Sequence, residues 1–75
     1  MKITYDQEAD ALYIKMLEGH FECRNVHLSD DVTIDFGPNE EFVGIEVLNA
    51  KEILKKGNFP QIVMENIPKD WVLAA

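Results

Sequence analysis

Two runs of alternating side chains, separated by a proline turn, constrain this chain more than any other feature. Val32, Ile34 and Phe36 alternate with Thr33 and Asp35, and Val43, Ile45 and Val47 alternate with Gly44 and Glu46. A period of two belongs to an extended strand with one face buried. Gly37-Pro38-Asn39 lies between the runs. Pro38 presets φ and Asn39 tolerates a left-handed backbone, so a loop from Gly37 to Phe42 pairs Phe36 with Val43 and Ile34 with Ile45 on one apolar face. The opposite face carries Thr33, Asp35, Gly44 and Glu46, and the stretch contains no reactive motif.

The same reading extends to the first half of the chain. Ile3 and Tyr5 flank Thr4, and Leu12, Ile14 and Met16 flank Tyr13 and Lys15, which gives strands over Lys2 to Asp6 and Ala11 to Met16. Asp6-Gln-Glu-Ala-Asp10 is too polar for a core and too rich in Glu and Ala for a strand, so it closes this hairpin as a helical turn, setting Tyr5 opposite Leu12 and Ile3 opposite Ile14. Gly19 marks a turn, and Phe21 to Leu28 forms a less regular third strand. A short turn at Ser29, Asp30 and Asp31 then places Leu28 opposite Val32 and Val26 opposite Ile34.

At Asn49 the period changes from two to 3.6. Asn49 reads as an N-cap with Glu52 in the capping-box position, and Ala50, Ile53 and Leu54 form a short apolar stripe. Lys55, Lys56 and Gly57 end a helix of about two turns, which must lean on the sheet to persist. The expected fold is therefore α+β: a five-stranded antiparallel meander with one C-terminal helix packed on one face, followed by an irregular apolar tail. The 75 residues make a single domain, with a core over residues 1–57 and the tail over residues 58–75. In the tail, Pro60 and Pro68 forbid one long helix. An extended piece over Gln61 to Glu65 and a helical turn after Pro68 are expected.

Fourteen acidic against seven basic residues give a net charge of −7, which argues against binding nucleic acid, where affinity comes from cationic side chains neutralising phosphates. The same charge favours a basic partner. Cys23 is the only cysteine, so no internal disulfide forms and a reducing, cytoplasmic setting is expected. The opening residues lack the apolar core of a signal peptide, and no run approaches the roughly 20 apolar residues of a membrane span.

Few residues suggest chemistry. Asp6-x-Glu8-x-Asp10 is spaced like the start of a calcium loop, but Ala11 and Leu17 stand where that loop needs Gly and an acid. His20, Glu22, Cys23 and His27 are the only group of soft ligands. On an extended strand Cys23 and His27 lie about 13 Å apart, too far for one metal ion. Ser29, beside Asp30 and Asp31, has the surroundings of a turn rather than of a nucleophile. Gly44 is a strand glycine that marks a bulge or lets a neighbouring ring such as Tyr13 lie across it. Asp35, Glu46 and Tyr13 on the outer face are the best available group for general acid and base work. No catalytic residue, cofactor or metal site is assigned.

Ile3-Thr-Tyr-Asp6, Glu8-Ala-Asp-Ala-Leu-Tyr-Ile14, Asp31-Val-Thr-Ile-Asp35 and Val43-Gly-Ile-Glu-Val-Leu-Asn-Ala50 together resemble the small bacterial proteins grouped as domain of unknown function 2283. The resemblance covers Met1 to Leu54. It implies a strand meander with a C-terminal helix, no established enzymatic activity, and genes that tend to sit beside small toxin-like proteins. It supplies no catalytic residues, and the chain departs from the family pattern after Gly57.

The expected function is that of a non-catalytic protein-interaction domain, in one form the acidic, antitoxin-like partner of a small basic toxin. The alternative is a small enzyme or metal-binding protein using the acidic outer face or the His20, Cys23 and His27 region. The tail residues Phe59, Ile62, Val63, Ile67, Trp71 and Val72 are the expected interaction site, and a homodimer is the expected assembly. No nucleic acid and no membrane are expected as partners.

Overall fold

The computed structural model describes residues 1–55 and 60–73. Five strands form one antiparallel sheet: β1 (Lys2–Asp6), β2 (Ala11–Lys15), β3 (Arg24–His27), β4 (Val32–Phe36) and β5 (Phe42–Val47). A single-turn helix, α1 (Ala50–Ile53), and a 3-10 turn over Lys69–Trp71 follow. Three hairpin registers agree with the sequence pattern: Tyr5 opposes Leu12, Val26 opposes Ile34, and Ile34 opposes Ile45.

The α+β class with five antiparallel strands holds, but the strands do not lie in sequence order. The order across the sheet is β1-β2-β5-β4-β3, so β5 sits between β2 and β4 where a meander would put β3 beside β2. Leu12 opposes Val47 and Ile14 opposes Ile45. The physical reason is burial. β5 is the longest strand, and the centre of the sheet gives it a partner on both edges and buries Val43 and Val47. The connection from Met16 to Cys23 makes the Greek-key crossing that this order requires. It starts against β5, with the Met16 N–H donating to the Val43 carbonyl at 2.7 Å, and passes the β4–β5 turn, where Phe21 lies against Gly37.

The β4–β5 turn also differs in detail. Phe36 opposes Phe42 rather than Val43, because Val43 is the extra residue of a β-bulge. The left-handed residue is Glu40 (φ 62°), not Asn39. Glu41 holds the turn by accepting the Gly37 N–H on its carbonyl at 2.9 Å and the Asn39 N–H on its carboxylate at 2.6 Å. The third strand is shorter than the expected Phe21 to Leu28, and the Leu28 N–H still reaches the Val32 carbonyl at 2.8 Å.

The helix is shorter than expected. It begins at Ala50, its C-cap is Leu54, and the expected end at Lys56 lies outside the described residues. Asn49 does not cap it with its side chain. Asn49 takes a left-handed conformation (φ 50°) and donates instead to the Asp31 carboxylate at 2.9 Å. The first turn is capped by Asp10, whose carbonyl accepts the Ala50 N–H at 3.1 Å and whose carboxylate accepts the Lys51 N–H at 3.2 Å. The β1–β2 and β3–β4 turns thus grip residues 48–51 from both sides, since the Asp31 carbonyl also accepts the Leu48 N–H at 2.8 Å. A tertiary grip of this kind is what a helix too short to stand alone requires.

So short a helix covers little. Ala50 is buried, but Ile53 and Leu54 stay exposed, as do Ile3 and Tyr5 on the apolar face of β1. Among the described residues only Val43, Val47 and Ala50 are buried apolar side chains. The helix therefore closes one end of the apolar face and leaves Ile3 and Tyr5 on β1 exposed. In the tail, residues 61–65 form no strand within the chain, whereas the helical turn expected after Pro68 is present as the 3-10 turn.

Candidate functional site

The two faces of the sheet offer two different surfaces. On the polar face, neighbouring strands set Tyr13 opposite Glu46, Glu46 opposite Thr33, and Gly44 opposite Asp35. Tyr13 leans across Gly44, as the strand glycine suggested. A Cβ at Gly44 would meet the Tyr13 hydroxyl oxygen and lie 2.7 Å from its Cζ. The ring is aimed at Asp35, to which the Tyr13 hydroxyl donates at 3.1 Å, while the Asn25 amide donates to the other carboxylate oxygen. Beside them the Thr33 hydroxyl lies 2.8 Å from His27 Nδ1.

This network ties its polar groups to one another. Partial burial, reinforced by the hydrogen bond to Asp35 and by its negative charge, pushes the Tyr13 phenol up to about 12. A phenol held neutral to that pH is a poor base, and each Asp35 carboxylate oxygen already accepts a hydrogen bond from a neighbouring side chain. The structure brings Tyr13 and Asp35 together and aligns Glu46 beside them, but as packing over a glycine.

The soft-ligand group is not assembled either. Cys23 is an exposed free thiol whose sulfur contacts the Phe21 carbonyl at 3.5 Å, and His27 is engaged with Thr33. Among the described residues no three His, Cys, Asp or Glu side chains are placed to hold a metal ion. The Asp6-x-Glu8-x-Asp10 carboxylates have separate local tasks. Asp6 accepts the Glu8 and Ala9 N–H groups at 3.0 and 3.3 Å, and Asp10 accepts the Tyr5 hydroxyl at 2.8 Å as well as capping α1. The bond to Asp10, more than any other influence, raises the Tyr5 phenol above its ordinary value.

The other surface is apolar. A hollow of about 420 Å³ opens where β1, β2 and α1 meet, lined by Tyr5, Leu12, Ala50, Lys51 and Leu54 and by Pro60 to Ile62 of the tail. Of the expected tail residues, Ile62 is 68% exposed, Val63 71% and Trp71 73%, while Ile67 and Val72 are a little under half exposed. Phe59 lies outside the described residues. The tail residues do not form one closed patch. The described tail residues share the property of large apolar area facing water, and Met64 and Leu73 of the same apolar tail share it too. The hollow was not anticipated. Its signal was the overlap of two apolar sets, Tyr5 with Leu12 and Ala50 with Leu54, at one corner of the sheet.

The profile of a family described as "Protein of unknown function (DUF2283)" matches residues 2–51. The chain belongs to that family. It is also similar to the uncharacterized protein MJ0789 of Methanocaldococcus jannaschii, with 43% identity over 53 residues, covering 71% of this chain and 44% of that protein. The chain thus spans less than half the length of that curated relative. No solved structure matches it. The DUF2283 match takes in all five strands and the start of α1 and ends before the tail. Tyr5, Leu12, Ala50 and Lys51 of the hollow fall inside the DUF2283 region, and the exposed tail side chains fall outside it.

Proposed function

We propose that this chain is a non-catalytic interaction protein that works as a homodimer assembled through its C-terminal tail. The observation that carries this reading is the exposure of Ile62, Val63, Met64 and Trp71, four large apolar side chains within ten residues of one another. Burying a side chain of this size gains about 1.5–3 kcal/mol, so a tail that keeps several in water favours any surface able to cover them. The polar face, with Asp35, Glu46 and Thr33, is a poor bed for Trp71. Symmetric pairing of like chains is the commonest way to cover such a surface.

The net charge of −7 supports a second, heterologous contact with a small basic protein, the antitoxin-like form of this reading. A reducing compartment such as the cytoplasm suits the free, exposed thiol of Cys23. Among the described residues no helix is long and apolar enough to cross a membrane. The test compares the full chain with a chain ending at Gly57 by light scattering. The full chain is expected at twice the mass of one subunit and the truncated chain at the mass of a monomer. Equal subunit numbers for both would refute assembly through the tail.

A further inference from the structure

We infer that the hollow between β1, β2 and α1 receives the tail of a second copy, with Trp71 as the anchor, so that two chains exchange tails across a two-fold axis. The inference rests on the homodimer reading above and specifies what covers what. Its first support is area. The chain exposes 6518 Å², whereas a compact monomer of 8.6 kDa exposes about 4,700 Å² by the scaling of surface with mass. The excess of about 1,800 Å² per chain falls in the range that an obligate homodimer buries on each subunit, about 1,000–2,500 Å². The radius of gyration, 13.7 Å against about 11 Å for a compact domain of this length, records the same lack of closure.

The second support is shape. The hollow is lined by Tyr5, Leu12, Ala50 and Leu54 and, from the chain's own tail, by Pro60 to Ile62, and its volume of about 420 Å³ is enough for a large aromatic side chain. Trp71 is presented for such a site. Pro68 starts the 3-10 turn, the Trp71 N–H donates to the Pro68 carbonyl at 3.0 Å, and the indole on this turn is left in solvent. A rigid, exposed tryptophan is the kind of residue that anchors an interface by filling a pocket.

The third support is charge. Lys51 is the one charged side chain among those lining the hollow, and Asp70 adjoins Trp71 in the 3-10 turn. Seating Trp71 therefore brings a carboxylate toward a cation in a molecule whose overall charge would otherwise oppose self-association. The chain's own Pro60 to Ile62 already line one side of the hollow, so each tail leaves its own subunit beside the site that it would occupy on the other. That reciprocity is the requirement of an isologous pair.

The test uses full-length chains in which Cys23→Ser removes the native thiol. One preparation carries Leu54→Cys in the hollow and the other Val72→Cys beside Trp71. The two are mixed and oxidised, and chain masses are read by mass spectrometry. Trp71, the only tryptophan, reports its own burial by fluorescence over a dilution series. A disulfide joining the two different chains, with emission moving to the red on dilution, is the expected result. Leu54→Lys, at a half-exposed position where folding can be checked by circular dichroism, should abolish both the dimer and the concentration-dependent shift. A dimer that forms no mixed disulfide and survives Leu54→Lys would overturn the tail exchange while leaving the homodimer standing. A chain that stays monomeric would overturn both. A bond forming only within one chain that carries both cysteines, at concentrations where the protein is monomeric, would place the tail on its own subunit and also overturn the exchange.

Discussion

Gly44 is the residue whose identity is most tightly fixed by its neighbours. A methyl group there would lie 2.7 Å from Tyr13 Cζ and 3.0 Å from the Ile14 carbonyl oxygen, so the ring must leave and give up its bond to Asp35. Gly44→Ala should destabilise the fold by about 1–3 kcal/mol, the usual cost of overpacking. Measured by urea denaturation, the loss should shrink when Tyr13→Ala is already present, a coupling that a double-mutant cycle reads directly. Additive losses would mean that the ring is not what excludes the methyl. The same ring makes a pH prediction. With its pKa raised to about 12, Tyr13 keeps its proton in the folded chain while an unfolded tyrosine loses it near 10. Its contribution to stability is therefore whole below about pH 10 and is lost as the pH rises to about 12. In an absorbance titration at 295 nm, Tyr13→Phe should remove the phenol that ionises near 12 and leave Tyr5. An unchanged late phase in that variant would contradict the assignment.

At the scale of elements, the short helix depends on a turn that is distant in sequence. Asp10 holds Ala50 and Lys51 by main chain and side chain, accepts the Tyr5 hydroxyl, and adopts a left-handed conformation (φ 50°) that alanine tolerates poorly. Asp10→Ala should cost about 1–2 kcal/mol in chemical denaturation, combining a lost cap with backbone strain. A cost near zero would mean that α1 does not need this grip. The hairpins were legible because period-two patterning fixes register locally, which is why Ile3 with Ile14 and Ile34 with Ile45 were readable. The order of β2 and β5 was not, because alternation says which face is buried and not which strand lies alongside. One clue was present: Tyr13 can lie across Gly44 only if their strands are neighbours, and a meander keeps those strands apart. The capping box at Asn49 and Glu52 misled because a tertiary carboxylate, invisible to local spacing, took the position. The quiet polar face was legible only in part. Its residue types were clear, but the closing of Tyr13 and Asn25 onto Asp35 needed the register of all the strands involved.

At the scale of the whole molecule, a thin sheet with a token helix leaves more surface in water than a compact chain of this mass exposes. Its smallest dimension is 21 Å, about two layers, yet the second layer is complete at one corner only. The acidic surface sets the partners that can approach. No shift of duplex DNA is expected in a gel at about 150 mM salt, since seven cations against fourteen acids supply no phosphate-binding groove, and micromolar retardation would contradict that. In the proposed dimer one chain is half of the molecule, and sedimentation equilibrium of the full-length protein measures this. Run at loading concentrations up to about 100 micromolar, well above the dissociation constant expected of an obligate pair, the chain should sediment at twice its 8.6 kDa mass and dissociate on dilution. A mass of 8.6 kDa throughout that range would contradict it.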